Sequence, residues 1–215
     1  MPSQDFRIVL EHLPVGMFRT NCYVLAETRS HRAVVIDPGA EGERIAGRIG
    51  ALGLQPVAIL ITHAHIDHIM GAWSLKEELG GKIFLHPKDQ PLLDAHMIGM
   101  DDLACSHVPR FAADRTMEEG DVLDFGPIRL SVIETPGHTP GHVSVYFPEA
   151  KSVFVGDTIF AGSIGRTDFP GGSHDRLIRS VKEKIFTLPG DTLVYPGHGP
   201  GTTIEREIRT NPFFR

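Results

Sequence analysis

Between Thr62 and His68 the chain reads Thr-His-Ala-His-Ile-Asp-His, which places four metal-capable side chains within six positions. They follow Val57–Ile61, a continuous apolar run suited to a strand buried on both faces. His63 and His65 are two apart and share a face in an extended segment. His65 and His68 are three apart and suit a turn entering a helix. A histidine alone is more often a surface or core residue than a ligand. Three of them with a carboxylate, crowded at the end of a buried strand, would desolvate and repel one another if protonated. A cation resolves that conflict.

The same device recurs further along. His138 follows Val132–Glu134 through Thr-Pro-Gly, Asp157 follows Val153–Val155 through Gly156, and His198 follows Leu193–Tyr195 through Pro-Gly. Pro stops a strand ladder, and Gly allows backbone angles other residues avoid. Side chains just past strand ends project onto the sheet rim, where open α/β sheets bind ligands. His63, His65, Asp67, His68, His138, Asp157 and His198 are therefore expected to converge. Seven ligands exceed one tetrahedral sphere. They suit two ions sharing a carboxylate, roughly 3.5–4 Å apart. The absence of Cys from the set makes it tolerant of zinc, iron or manganese.

Around these residues the pattern predicts strands at Phe6–Leu10, Cys22–Ala26, Ala33–Ile36, Lys82–Leu85, Ile128–Glu134, Val143–Phe147, Ser152–Val155 and Leu193–Tyr195. Asp37-Pro-Gly39 reads as a turn. Helices are expected at Glu41–Leu52, about Ile69–Leu79, Asp175–Phe186 with Ser173 as N-cap, and Thr203–Arg209. Pro87–Asp121 reads as short helices and loops, on balance a surface excursion. No linker or low-complexity segment divides the chain. The expectation is one α/β domain over 1–215 with mixed sheets.

HAHIDH with the later Gly-His, Gly-Asp and Gly-His elements resembles the metallo-β-lactamase superfamily. GDTIFAGSIGRTDFPGG (Gly156–Gly172), PGHTPGH (Pro136–His142) and NPFF (Asn211–Phe214) resemble its short, single-domain glyoxalase II-like (hydroxyacylglutathione hydrolase-like) members. The resemblance implies an αββα sandwich with two mixed sheets and the metals at one edge. It assigns His63, His65 and His138 to a first ion, and Asp67, His68 and His198 to a second. Asp157 bridges them, with zinc the first expectation. Asp67 and Asp157 are then the catalytic carboxylates, and the reaction is hydrolysis of an anionic thioester such as S-lactoylglutathione by a metal-bound hydroxide. A basic residue near Arg166 holds a glutathione carboxylate in that family, which makes Arg166 the expected substrate contact. Its alternative partner is Asp168. One departure is the C-terminus. Only Gly199–Arg215 follow the last ligand, where the longer glyoxalase II enzymes carry a helical extension that helps bind glutathione.

Chemistry supports hydrolysis independently: metal-bound water ionises near neutrality, and a thiolate leaves readily. Competing expectations are a mononuclear-iron persulfide dioxygenase on His63, His138 and Asp157, a lactone or phosphoester hydrolase on the same site, and a non-catalytic metal module. A net charge of −6 argues against a nucleic-acid partner. No apolar run is long enough to span a bilayer, and no signal segment opens the chain, so the cytoplasm is expected. Of the two cysteines, Cys22 reads as a buried thiol and Cys105 has no assigned role. His142 reads as structural, and Trp73 as packing. His12, His31, His86, His96, His107 and His174 read as surface residues.

Overall fold

The computed structural model describes residues 8–102 and 111–215, the side chains of 97–102 excepted. Phe6 and Arg7, Cys105, His107 and the side chains of Met97 and Met100 therefore lie outside the described residues. The first sheet takes β1 (Ile8–Val15), β2 (Thr20–Glu27), β3 (Arg32–Ile36), β4 (Gln55–Leu60), β5 (Lys82–Leu85) and β6 (Arg115–Thr116), in that spatial order. The first three strands run antiparallel, and β3 to β6 run parallel. The second sheet takes β7 (Val122–Asp124), β8 (Arg129–Glu134), β9 (Val143–Phe147) and β10 (Ser152–Gly156). A small hairpin, β11 (Ile159–Phe160) with β12 (Ser163–Ile164), comes next, and β13 (Leu193–Pro196) and β14 (Thr202–Thr203) complete the sheet. Its spatial order is β14-β13-β10-β9-β8-β7, with only β10 and β13 parallel.

Strand alternation explains the layers. Cys22, Val24 and Ala26 of β2 and Ala33 and Val35 of β3 point to one face. They pack with Ile45, Ile49, Leu75 and Leu93 from helices α1 (Gly42–Ala51), α3 (Ala72–Leu79) and α4 (Gln90–Asp102). Their neighbours Tyr23, Leu25, Val34 and Ile36 point the other way and meet Leu130, Val132, Val145 and Phe154 of the second sheet. Val153 and Val155, beside Phe154 in β10, face outward to Leu177 and Val181 of α5 (His174–Glu183) and Ile204 of α6 (Ile204–Thr210). The result is helix, sheet, sheet, helix: two mixed sheets flanked by helices. Each fully buried aliphatic side chain contributes about 1.5–3 kcal/mol.

Several expectations need correction. The first strand runs on to Val15 and pairs with β2 through Val15↔Thr20. The second expected helix is two, α2 (Ile66–Ile69) and α3, because Gly71 turns inward and donates its N–H to Pro38 O (2.8 Å). The segment after Pro87 is not a surface excursion in its described part. It begins the long helix α4 and ends in β6, and Asp89, Leu93, Phe111 and Met117 are buried. Trp73 stacks on Phe111 at 6.1 Å, a packing role. Cys22 is fully buried. His86 is buried rather than exposed, with Nε2 2.8 Å from Glu134 Oε1. His12, His31 and His174 are exposed as expected, while His96 is partly buried. Among the described residues no helix is long and apolar enough to cross a membrane.

Candidate metal centre

The seven expected ligands meet at one rim. The β4 end supplies the His63–His68 turn, the segment after β8 supplies His138, and the ends of β10 and β13 supply Asp157 and His198. Thr62 O accepts from Val143 N (2.9 Å), which ties the first of these loops to the second sheet. Close approach needs small residues. Gly156 has φ +45 in the left-handed region, and a Cβ on Gly197 would run into Asp157 Oδ1 and the His68 ring.

Two donor triads, His63, His65 and His138, and Asp67, His68 and His198, each have ligand atoms within 4.8 Å of one another, and a third group of the same span, His63, His68 and Asp157, straddles them. Asp157 lies between them. Its Oδ2 is 3.6 Å from both His138 Nε2 and His198 Nε2, and its Oδ1 is 3.5 Å from His68 Nε2.

The imidazoles are oriented from behind. His63 Nδ1 meets Thr62 Oγ1 (3.1 Å), His68 Nδ1 donates to Asp37 Oδ2 (2.9 Å), His138 Nδ1 donates to Arg166 O (2.6 Å), and His198 Nδ1 donates to Phe18 O (3.2 Å). Each therefore presents Nε2 to the centre, in the tautomer its rear partner selects. His65 instead presents Nδ1, 2.8 Å from His138 Nε2.

Burial, reinforced by the neighbouring histidines, pushes His63 well below its ordinary value; burial and His138 push His65 down to about 4. Burial opposes protonation of His68 as well, but Asp37 and Asp157 outweigh it and raise that imidazole. The Asp157 carboxyl is also buried, yet His68, His138 and His198 hold it down at about 2. Without an ion, His63, His65 and His138 thus offer lone pairs, whereas the neighbouring carboxylates favour protons on His68 and His198 that a bound cation would displace. His63 Nε2, His68 Nε2 and Asp157 Oδ1 are buried with no hydrogen-bond partner. A buried polar atom left unpaired costs about 1–3 kcal/mol. A cation would satisfy all three, so the donor set fits divalent metal.

Two carboxylates not singled out in the sequence support this centre. Asp37, at φ +51 past β3, accepts from Thr62 N and Thr62 Oγ1 (both 2.8 Å) and orients His68. Asp89 accepts from Ala64 N (3.0 Å), Thr139 Oγ1 (2.7 Å) and Gly141 N (2.6 Å), so it joins the His63–His65 turn to the His138 loop. The signal for Asp37 was an aspartate at a strand end followed by Pro-Gly. Asp89 had none. His142 is buried with both nitrogens engaged: Nε2 accepts from Asp157 N (3.0 Å), and Nδ1 meets Thr135 Oγ1 (3.0 Å). It has no lone pair to offer an ion.

Arg166 is exposed. Its guanidinium makes a two-pronged pair with Asp168 (2.8 and 3.0 Å) and lies 4.2 Å over the Phe169 ring. Phe169 in turn stands 5.0 Å from His65 and forms one wall of the centre. Met17 and Phe18, at the β1–β2 turn beside His198, are exposed.

The family model of the metallo-beta-lactamase superfamily matches residues 15–198, and the chain belongs to that superfamily. It is 41% identical to the probable metallo-hydrolase YqgX of Bacillus subtilis, over 94% of this chain and 95% of that protein. It is 37% identical to the hydroxyacylglutathione hydrolase GloC of Haemophilus influenzae, over 95% and 97% respectively. Among solved structures, BLEG-1 B3 metallo-beta-lactamase superposes with a TM-score of 0.88 at 38% identity, covering 96% of this chain and 99% of that one. TTHA1623 in a di-iron-bound form gives 0.84 at 40% identity, covering 94% and 99%.

Proposed function

We propose that this chain is a binuclear metallohydrolase that cleaves anionic thioesters of the hydroxyacylglutathione type. The observation that carries the two-ion reading is the position of Asp157 Oδ2, 3.6 Å from a nitrogen of each triad. Two triads that share one carboxylate suit a pair of ions better than a single one. His63, His65 and His138 would hold the first ion, Asp67, His68 and His198 the second, and Asp157 both. The thioester class is supported by the GloC relative, which aligns over almost its whole length. Zinc is our first assignment for a nitrogen and carboxylate donor set. The di-iron relative makes iron the ion to test against it.

Bound divalent ions supply acidified water and a Lewis acid for the carbonyl oxygen. The chain's own residues supply orientation. Asp37, Thr62, Arg166 O and Phe18 O fix the imidazoles from behind, so no ring has to turn during the reaction. Asp67 and Asp157 remain ionised and act as the catalytic carboxylates, Asp67 with Oδ2 3.1 Å from His198 Nε2. A thiolate leaving group needs no strong general acid.

Elemental analysis of the native protein tests this reading, together with a panel of S-lactoylglutathione, a lactone, a phosphodiester and a β-lactam. Two transition-metal ions per chain with thioester turnover are expected. One iron per chain with dioxygen uptake on glutathione persulfide would overturn it. Turnover of the β-lactam in place of the thioester would overturn the substrate assignment.

Arg166 is the cation we assign to a substrate carboxylate. Asp168 already occupies its fork, and a bound substrate has to displace it. Arg166→Ala is expected to raise KM for a glutathione thioester by about three- to tenfold, less than a buried charged contact would. KM for a small neutral thioester and the metal content should not move, because His138 is held by the backbone carbonyl of Arg166 rather than its side chain. Equal effects on both substrates would reduce Arg166 to a brace for its loop.

A further inference from the structure

The β1–β2 hairpin reaches across to the loop that carries His198. Asn21, almost fully buried, donates Nδ2–H to Pro196 O (2.9 Å) and to Gly199 O (2.8 Å), and its backbone N–H to Gly197 O (2.7 Å). Tyr23 OH donates to the same Pro196 O (2.8 Å). Phe18 O receives the His198 Nδ1 proton (3.2 Å). Thr20 Oγ1 donates to Asp67 Oδ2 (3.0 Å). His12 Nε2 lies 2.7 Å from Asn21 Oδ1 and stacks on Tyr23 at 5.2 Å, which fixes the amide in the flip that points its donors at the loop.

Two of the three members of the second triad, His198 and Asp67, are therefore held by this one hairpin. The first triad is held differently. His63 leans on Thr62, His138 on Arg166 O, and Asp89 joins their loops. Among the described residues, none of the hairpin's hydrogen bonds reaches that triad.

We infer that Thr20 and Asn21, with His12 behind them, are positioning residues for the second triad alone, so that the hairpin governs occupancy of the second ion and leaves the first unaffected. The inference rests on the two-ion reading above. Asn21 touches no reacting atom. It acts by clamping carbonyls on either side of His198, so that Nε2 stays within reach of Asp67 and Asp157. Loss of a supporting contact of this kind costs about ten- to a hundredfold in metal affinity.

The test is a metal titration of apo wild type and Asn21→Ala against a chelator, paired with amide hydrogen exchange of the metal-free proteins. Wild-type stoichiometry examines the two-ion reading by itself. Exchange examines the clamp without any metal. For Asn21→Ala the second ion should bind about ten- to a hundredfold more weakly, with the first unchanged. Exchange at Gly197–Gly199 should accelerate while the Thr62–His65 amides keep their protection. Asn21→Asp keeps the bond from His12 but has no donor for the two carbonyls, and it should behave like Asn21→Ala. His12→Phe keeps the stack on Tyr23, should fold, and should give a smaller loss at the second ion only. Equal weakening of both ions, or unchanged exchange at Gly197–Gly199 in Asn21→Ala, would overturn the inference.

Discussion

Asp157→Ala is expected to lower occupancy at both triads and to reduce turnover by more than about a hundredfold, since loss of a contact merely supporting a ligand already costs ten to a hundredfold in affinity or activity. The reason is geometric. Among the described residues, Asp157 supplies the only carboxylate within 3.6 Å of imidazole nitrogens from both triads. Without it, His138 and His198 have no shared anion, and two cations would face each other with less intervening charge. His198→Ala should instead empty chiefly the second triad. Elemental analysis after gel filtration, with steady-state kinetics, separates the two variants. An Asp157→Ala protein that keeps both ions and normal turnover would show that the carboxylate does not bridge.

Asp89→Ala should produce the largest loss of stability. The carboxylate is fully buried and accepts three hydrogen bonds, two of them from backbone N–H groups. Truncation leaves those donors buried and unpaired, at about 1–3 kcal/mol each. For three donors the loss is roughly 3–9 kcal/mol, large against the 5–15 kcal/mol of a typical fold. For a chain of this size it corresponds to a fall in Tm of about 6 °C or more. Scanning calorimetry of the apo proteins measures it without interference from metal. A drop of only a degree or two would mean that water replaces the carboxylate. Because Asp89 ties Ala64 to Gly141, the metal-loaded variant should also show weaker binding at the first triad than at the second.

The seven candidate ligands are legible because each carries a local signature: a chemically specific side chain soon after an apolar strand, with a breaker between in the case of His138, Asp157 and His198. The apolar runs that become β2, β3, β4 and β10 are equally local signals. What is not legible in the sequence is tertiary. Asp89 reaches Gly141 across 52 positions, and Asp37 reaches Thr62 across 25. Nothing near Asp89 announces a partner, and the Pro-Gly after Asp37 marks only a turn at a strand end. The later half of β1 is not legible because Glu11, His12 and Pro14 interrupt the apolar alternation, as an edge strand can tolerate. Helix α4 reads as fragments in the sequence because Pro91 and Gly99 punctuate a weakly amphipathic stretch. Arg166 shows the remaining limit. Sequence offered a substrate carboxylate and Asp168 as partners, and the structure pairs it with Asp168. Only a bound substrate could compete for the same fork.

The clasp between Asn21 and the Pro196–Gly199 loop also has a kinetic meaning. It joins residues 175 to 178 positions apart. Contacts of such sequence separation form slowly, because a long loop must close before they contribute. During synthesis, Asp67 and His68 leave the ribosome long before His198 does. The second triad can therefore be completed only after the last strands have docked, whereas the His63–His65 pair exists as soon as β4 is in place. Metal supplied early would find a partial site, and metal supplied late a whole one. Refolding followed by metal uptake should accordingly show two phases. The slower should track closure of this clasp, and pre-loading with a single equivalent should not accelerate it.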